Sequence, residues 1–313
     1  MEVIRLSYPL EPGESRGVPS QVIAIGDFDG IHLGHQAVIR KALDMAKELD
    51  VPASIMTFYP HPREVLGQAK YTRILTPLQD KMEFFQKMGV HHTYVVDFNA
   101  HFMQIRPEQF VESVLLPLQL DTVVVGFDFT FGHKAEGTPA TLGECSRGRF
   151  AVVIVPPYRI NGEKVSSTRV RNHLLAGEIE EANTLLGRPF AISGTVVSGR
   201  QRGRTIGFPT ANVEPNAAYV LPRNGVYAVR LRMGDAIYDG VMNIGVKPTF
   251  EGDGLKLTLE VHIFDFAGDI YGRYVTVELL SFIRPEQKFA SVEELKEQIQ
   301  RDTAHCRQKL ACL

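Results

Sequence analysis

The first half of the chain alternates between two periods, and that alternation restricts the fold more than any other feature. Short β-branched runs, QVIAI (21–25), ASIMTF (53–58), TYVVDF (93–98), DTVVVG (121–126) and FAVVIV (150–155), read as strands. Between them lie stretches with helical spacing. HQAVIRKALDMAKELD carries Ala37, Val38, Ala42, Ala46 and Leu49 at that spacing. TPLQDKMEFFQKMG has Pro77 near its start and Gly89 at its end, both favoured positions. RPEQFVESVLLPL predicts another helix, and one more is expected near TPATLGECSR. Strands joined through helices need crossover connections, so these segments predict a parallel sheet. Such a sheet binds ligands beyond the carboxyl ends of its strands.

From FAISGTVVSG onward the period drops to two. GVYAVRLR puts Tyr227, Val229 and Leu231 on one face, and LTLEVHIF does the same for Leu257, Leu259, Val261 and Ile263. Turn signals separate such runs and little helix intervenes, which predicts antiparallel strands in a barrel or a sandwich. A closing helix follows, with Ser291 and Glu294 in a capping-box pattern. The change of rhythm places a boundary near LLGRP (185–189), after a short helix EIEEANTLL, giving domains 1–186 and 187–313. A chain of 313 residues is long enough for two cores.

Bulk properties exclude several classes. A net charge of −2 gives no basic field for nucleic acid or an anionic membrane. No apolar run approaches the roughly 18 residues of a membrane span. The N-terminal MEVIRLSYPLEPGESRG lacks the layout of a signal peptide. Three cysteines (Cys145, Cys306, Cys312) without CxxC argue against a disulfide framework and for a reducing cytoplasm. Without a clean HxxxH or CxxC, no structural zinc is expected. Oligomeric state is not legible.

GDFDGIHLGH (26–35) follows the first of the central strands. Gly26 and Gly30 permit tight turns, and a helix begins near Gly34–His35. The unpaired N–H groups and positive dipole end of a helix start form an anion site. Gly34 lets a phosphate or an adenine approach the backbone, and His32 and His35 flank the spot as further donors. Fixed donors of this kind stabilise charge growing on a phosphate. The plain alternative is that a histidine near a helix start is a cap or a solvated side chain. KVSSTRVR (164–171), after FAVVIV, offers hydroxyls and arginines at another expected helix start. Its plain alternative is a Ser/Thr cap with surface arginines.

FDGIHLGH and SSTRVR together resemble the two signatures of the HxGH nucleotidyltransferase superfamily. TFYPHPREVL (57–66) and VVGFDFTFG (124–132) further resemble the FAD synthetase module of the bacterial bifunctional riboflavin kinase/FAD synthetase family. The resemblance implies a Rossmann-like nucleotidyltransferase domain that transfers AMP from ATP to FMN. It implies that His32 and His35 contact the ATP phosphates, with Gly26, Phe28, Asp29 and Gly34 lining the nucleotide. Ser167, Thr168 and Arg171 would hold the triphosphate from the other side. Phe58, Pro60, His61, Asp128 and Phe129 would lie near the flavin or the reacting phosphate, although PHP is equally compatible with a rigid strand-end turn.

In the second half, SGRQRGRTIGFPTANV (198–213) is rich in glycine and arginine. Gly199, Gly203 and Gly207 allow a loop that wraps phosphates, or simply a mobile basic surface loop. Thr210 and Asn212 point the same way on an extended segment and offer the neutral oxygens that suit Mg²⁺. In KLTLEVHIFDF the apolar residues take the odd positions, so Thr258, Glu260 and His262 share the opposite face. A glutamate there is a general base if it faces a phosphate loop, and otherwise a solvated side chain.

GRTIGFPTANV, GVYAV, GVMNIGVKPTF, LEVHIFDFAGDIYG and FIRPEQKFASVEELKEQIQRD resemble the riboflavin kinase module of the same family. This implies a small antiparallel β-barrel that phosphorylates riboflavin. Thr210 and Asn212 would bind Mg²⁺ and ATP, Glu260 would accept the hydroxyl proton, Gly203, Arg204 and Gly207 would line the ATP phosphates, and Arg284 would contact the flavin phosphate. The partners so implied are riboflavin, FMN, FAD and ATP. Two departures are visible: Phe190 stands where a tyrosine is common, with loss of a hydroxyl hydrogen bond, and Asp27 occupies a variable position. Other readings fit less well. A class I aminoacyl-tRNA synthetase shares HxGH but needs a tRNA-binding domain and usually a basic surface. A dinucleotide oxidoreductase would need GxGxxG, which GDFDGIHLG does not match. A flavin- or nucleotide-binding regulator would need neither a base at Glu260 nor paired histidines.

Overall fold

The computed structural model of the chain describes residues 1–10, 19–199, 206–248 and 255–312. They group into two compact units, Met1–Ser167 and Thr168–Leu313.

The first unit is a six-stranded sheet of β1 (Glu2–Leu6), β2 (Gln21–Ile25), β3 (Ala53–Tyr59), β4 (His92–Asp97), β5 (Leu120–Gly126) and β6 (Ala151–Val155). Its order is β1-β4-β3-β2-β5-β6, and every neighbouring pair is parallel. Apolar residues run unbroken along β2 because both faces are covered. Ile23 and Ile25 join Met56, Tyr94 and Val125 in one core, with Phe110, Val114 and Leu115 above them. Val22 and Ala24 join Ile55 and Val124 in the other. That second layer is closed by Val38, Ile39, Ala42 and Ala46 of α1 (Leu33–Glu48) and by Phe85 of α3 (Leu78–Met88). The strand order reverses between β2 and β5, so the crevice where an open parallel sheet binds ligands lies past Ile25 and Gly126.

Two elements differ from the sequence reading. β1 was not expected; it is an edge strand, mostly exposed, in register with β4 from Glu2↔His92 to Leu6↔Val96. The helix expected over RPEQFVESVLLPL is broken into α4 (Pro107–Phe110), a wide π turn (Val111–Leu115) and a 3₁₀ turn (Leu116–Leu118). Pro117 removes the amide that a continuous helix would use there. α5 (Pro139–Ser146), capped by Thr138, fills the place expected near TPATLGECSR. After β6, β7 (Arg159–Ile160) and β8 (Glu163–Lys164) form a short antiparallel ribbon.

The second unit is a closed antiparallel barrel of β9 (Phe190–Val197), β10 (Ala211–Pro215), β11 (Gly225–Met233), β12 (Ala236–Pro248), β13 (Leu255–Ile263) and β14 (Tyr274–Arg284), in ring order β10-β13-β12-β11-β14-β9. Tyr227, Val229, Leu231, Met242, Ile244, Leu259 and Val261 are buried at alternate positions. On the other face, Val226, Ala228, Val241 and Leu280 pack with Cys306 and Leu310 of α8 (Val292–Leu310). Ser291 Oγ accepts from the Glu294 amide at 3.1 Å, and Glu294 Oε2 accepts from Ala290 N at 3.0 Å, so the expected cap closes one residue early. Burial pushes the Cys306 thiol up to about 12.

Helix α6 (Ser167–Ala176) starts at the last residue of the first unit, and α7 (Ile179–Leu186) follows. Asn183 fixes α7 to the barrel: its Nδ2 donates to Leu279 O (2.9 Å) and its Oδ1 accepts from Phe190 N (2.7 Å). Ser281 Oγ donates to Glu180 Oε1 at 2.5 Å. Compactness therefore divides the chain one residue into α6 and ahead of α7, upstream of LLGRP.

Candidate functional sites

In the first unit the loop after β2 runs straight into α1. Phe28, Gly30 and Ile31 take positive φ (56°, 90° and 40°), which bends the loop sharply at the end of the strand. A β-branched residue at positive φ is costly and persists where its surroundings hold it; Ile31 is fully buried. His32 is the N-cap of α1, and its Nδ1 accepts from His35 N at 3.2 Å. A neutral His32 ring therefore carries its proton on Nε2. The His32 and His35 rings stack at 3.7 Å between centroids, 19° apart, with the edge of Phe28 against His35. A Cβ at Gly34 would lie 3.1 Å from the His32 ring, so glycine there keeps the helix mouth open. His35 Nδ1 is buried with no hydrogen-bond partner among the described residues. Desolvation, then the neighbouring His32, holds the His35 imidazole well below its ordinary range, so it is neutral at pH 7.

Asp29 is buried, and its Oδ1 accepts from the amides of Leu75 (2.8 Å) and Thr76 (3.1 Å). Its carbonyl accepts from Ser167 Oγ at 2.8 Å. Asp29 thus ties the histidine loop to the segment before α3 and to the first residue of α6, and Ser167 stands beside the loop that carries His32. Thr168 and Arg171 continue α6 in the second unit; Thr168 is exposed and Arg171 buried. Ser167 and Arg171 are four apart and share a helix face.

The remaining expected residues of this unit sit at neighbouring strand ends. Phe58, at the end of β3, packs in the core against Phe98 and Phe102. Pro60 follows Tyr59 through a cis peptide bond, and His61 caps the short α2 (Pro62–Val65), accepting from Arg63 N. After β5, Asp128 is exposed and bonded to Lys164 Nζ at 2.5 Å; Phe129 stacks on Phe131. Gly26 lies against the Phe28 ring.

Sequence reasoning missed Lys81 and the place of Asp27. Lys81 is buried on α3, where its Nζ donates to Asp27 O (2.5 Å) and lies 3.7 Å from Asp27 Oδ1. His61 Nε2 is 3.1 Å from Asp27 Oδ2, and Thr57 Oγ1 donates to Asp27 O. Burial pushes the Asp27 carboxyl up, but Lys81, then the His61 hydrogen bond, outweigh it and hold it below the usual carboxylate range. The signal was a lysine four residues before the buried Phe85, on the apolar stripe of its helix.

In the barrel, one rung gathers polar residues. Asn212 of β10 stands opposite Glu260 of β13, which stands opposite Asn243 of β12. Directly opposed residues share a face. Glu260 is therefore on the face away from Leu259 and Val261, as the alternation predicts, and is half-buried. Asn243 Nδ2 donates to Glu286 Oε1 at 3.2 Å. On the same face His262 Nδ1 meets Pro209 O at 2.8 Å and steadies the segment that carries Thr210. A Cβ at Gly199 would overlap the Asn212 amide, so that glycine makes room for the asparagine. Gly207 has φ +89°. Gly203 and Arg204 lie outside the described residues. A cleft of about 450 Å³ is lined by Thr210, Ala211, Val261, Ile263, Phe266 and Tyr271 among others; Glu260 is not in its lining. Arg284 makes a forked pair with the buried Asp302 of α8 (Nε–Oδ1 2.9 Å, Nη2–Oδ2 2.7 Å), which engages its guanidinium within the protein. Gln298 Nε2 also donates to Asp302. Phe190 is buried, and its amide rather than a side-chain hydroxyl makes the bond to Asn183.

Comparison with known proteins follows this division. Residues 16–169 match the FAD synthetase family model, and residues 186–310 match the riboflavin kinase model. A bifunctional riboflavin kinase/FMN adenylyltransferase of Listeria monocytogenes is 43% identical over 96% of both chains. One of Bacillus subtilis is 41% identical over 96% of both, and one of Escherichia coli 39% identical over 98% of this chain and 97% of that protein. The crystal structure of a macrolide-efflux protein from Streptococcus pneumoniae superposes with a TM-score of 0.86, at 34% identity, over 96% of this chain and 97% of that one. Among the described residues no helix is long and apolar enough to cross a membrane.

Proposed function

The chain belongs to the family of bifunctional riboflavin kinase/FMN adenylyltransferases, and on that footing we propose how its residues divide the two reactions. Riboflavin and ATP give FMN and ADP in the C-terminal module; FMN and ATP give FAD and pyrophosphate in the N-terminal one. As functional modules these are residues 187–313 and 1–186, with α7 packed on β14 and β9 although it precedes that boundary. The observation that carries the reading is the His32–His35 helix mouth on the first compact unit and the Asn212–Glu260–Asn243 rung on the second, in the order of the family matches.

In adenylyl transfer an FMN phosphate oxygen attacks the α-phosphorus of ATP and pyrophosphate leaves. The open N-terminus of α1, His32 and His35 stabilise the charge that grows there. Phe28, Gly26 and Gly34 shape the nucleotide side, and Asp29 fixes the loop from within. Ser167, Thr168 and Arg171 hold the triphosphate; for Ser167 the bond to the Asp29 carbonyl, beside the histidine loop, supports this. Phe58, Pro60, His61, Asp128 and Phe129 border the flavin side, at the ends of β3 and β5.

In the kinase module Glu260 accepts the riboflavin hydroxyl proton as the oxygen attacks the γ-phosphorus and ADP leaves. Thr210 and Asn212 hold Mg²⁺–ATP, and Gly203, Arg204 and Gly207 line its phosphates. The donor set fits Mg²⁺: two neutral oxygens and a carboxylate on the rung of Asn212, with no cluster of three or more His, Cys, Asp or Glu among the described residues. Such a set relies on substrate phosphates and water to complete the shell, and the ion would neutralise phosphate charge. Arg284 acts on the flavin phosphate, directly or by holding α8 through Asp302. The free cysteines suit a cytoplasmic enzyme.

The test is a time course of riboflavin, FMN and FAD by chromatography with riboflavin, ATP and Mg²⁺. FMN should rise and then pass into FAD. Glu260→Gln should stop FMN formation while leaving FMN-to-FAD conversion nearly intact, and His32→Ala should do the reverse. Loss of both activities from either change, in a folded protein, would rule out two separate sites.

A further inference from the structure

At the end of β2 a carboxylate stands where two anionic substrates are to meet. A bare negative charge there would repel both, so the arrangement around Asp27 needs an account. Its partners come from different elements: His61 from the cap of α2 and Lys81 from α3, with His35 of α1 further off. The tautomer of His61 follows from its bonds. Its Nδ1 accepts from the Arg63 amide at 3.1 Å, and an amide can only donate. Nδ1 is therefore unprotonated, and Nε2 carries the proton given to Asp27 Oδ2 at 3.1 Å. The ring is neutral and both nitrogens are used within the protein. The charge of Asp27 is balanced by Lys81, whose side chain is 7% exposed. The His61 ring itself lies 4.8 Å from that of Tyr71.

We propose that Asp27 is a positioning residue for adenylyl transfer: balanced by Lys81, it clamps neutral His61 through Nε2–H and presets the Pro60–His61–Pro62 turn. His61 then offers the flavin side a fixed turn rather than a hydrogen-bonding nitrogen. Asp27 with Lys81 adds no net charge to a site built for phosphates. This rests on the reading of the first unit as the FMN adenylyltransferase.

Two measurements on the full chain test it. Histidine-selective ¹⁵N spectra without substrate, with His61 assigned by its loss in His61→Gln, should show Nε2 protonated and Nδ1 bare at pH 7.5. Asp27→Asn keeps an acceptor and should preserve the downfield shift of the hydrogen-bonded Nε2 proton; Asp27→Ala should lose that shift while Nδ1 stays bare through the Arg63 amide. A doubly protonated His61, or the Nδ1–H tautomer, would overturn the clamp. In kinetics, Asp27→Ala should raise KM for FMN about tenfold with a smaller change in kcat, and Asp27→Asn should restore most of it. Lys81→Met leaves the carboxylate uncompensated and should raise KM for both FMN and ATP, while the Lys81→Met/Asp27→Asn double variant should recover most of that loss. A double variant no better than Lys81→Met would refute the charge balance. Riboflavin phosphorylation by the same samples should not move. A wild-type chain that made no FAD would instead refute the adenylyltransferase reading, and the spectra would still decide the clamp.

Discussion

His35 shows how much one ring can report about its surroundings. Desolvation and the stacked His32 keep it neutral in the folded chain, whereas in the unfolded chain it titrates at its ordinary value. The unfolded state then binds the proton first, so the contribution of His35 to stability is present above about pH 6.5 and is lost as pH falls below it. Replacing it with glutamine removes that term. The difference in melting temperature between wild type and His35→Gln should therefore shift against wild type between about pH 7.5 and pH 5.5, measured by scanning calorimetry. A difference constant with pH would show that His35 is solvated. Asp27 works in the opposite sense in charge but the same in direction: its carboxyl is held low, so its contribution is present above the ordinary carboxylate range and fades in more acid solution.

At the level of elements, the ends of secondary structure carry most of the candidate site, and that is where the sequence was read least completely. The central strands were legible because a strand covered on both faces is apolar throughout, as QVIAI is. β1 was not, because an edge strand with one buried residue has little pattern to show. The HxGH turn and the face taken by Glu260 were legible because loop chemistry and period two are local; its pairing with Asn212 was not, because it depends on the register of β10 with β13. Lys81 and Asp27 were not, because their meeting depends on how α3 settles against the end of β2. Arg284 shows the same limit: its type suggests a phosphate ligand, but its forked bond to Asp302 depends on where α8 packs. Asp302→Ala leaves that guanidinium, mostly buried, without its counter-charge. It should cost about 3 kcal/mol of barrel stability in urea titrations, with Asp302→Asn costing less. An unchanged midpoint would mean that α8 is held by its apolar face alone.

For the whole molecule, packing and function draw their borders in different places. α7 precedes the kinase match, yet its Asn183 bonds both β14 and β9. A fragment of residues 168–313 should therefore unfold cooperatively, and one of residues 187–313 should be less stable by about 2–4 kcal/mol, from lost hydrogen bonds and exposed apolar surface. Equal stability would return the border to LLGRP. The ring order carries a further consequence, for synthesis. β9, the first strand of the barrel, is zipped to β14, the last, from Phe190↔Leu279 to Thr195↔Tyr274. The parallel sheet has all its strands in hand once β6 leaves the ribosome, whereas a nascent barrel holds an unpaired edge until β14 emerges. A message cut short anywhere between those strands yields a finished adenylyltransferase sheet trailing an open, adhesive ribbon, which is the kind of product that quality-control proteases and chaperones meet first.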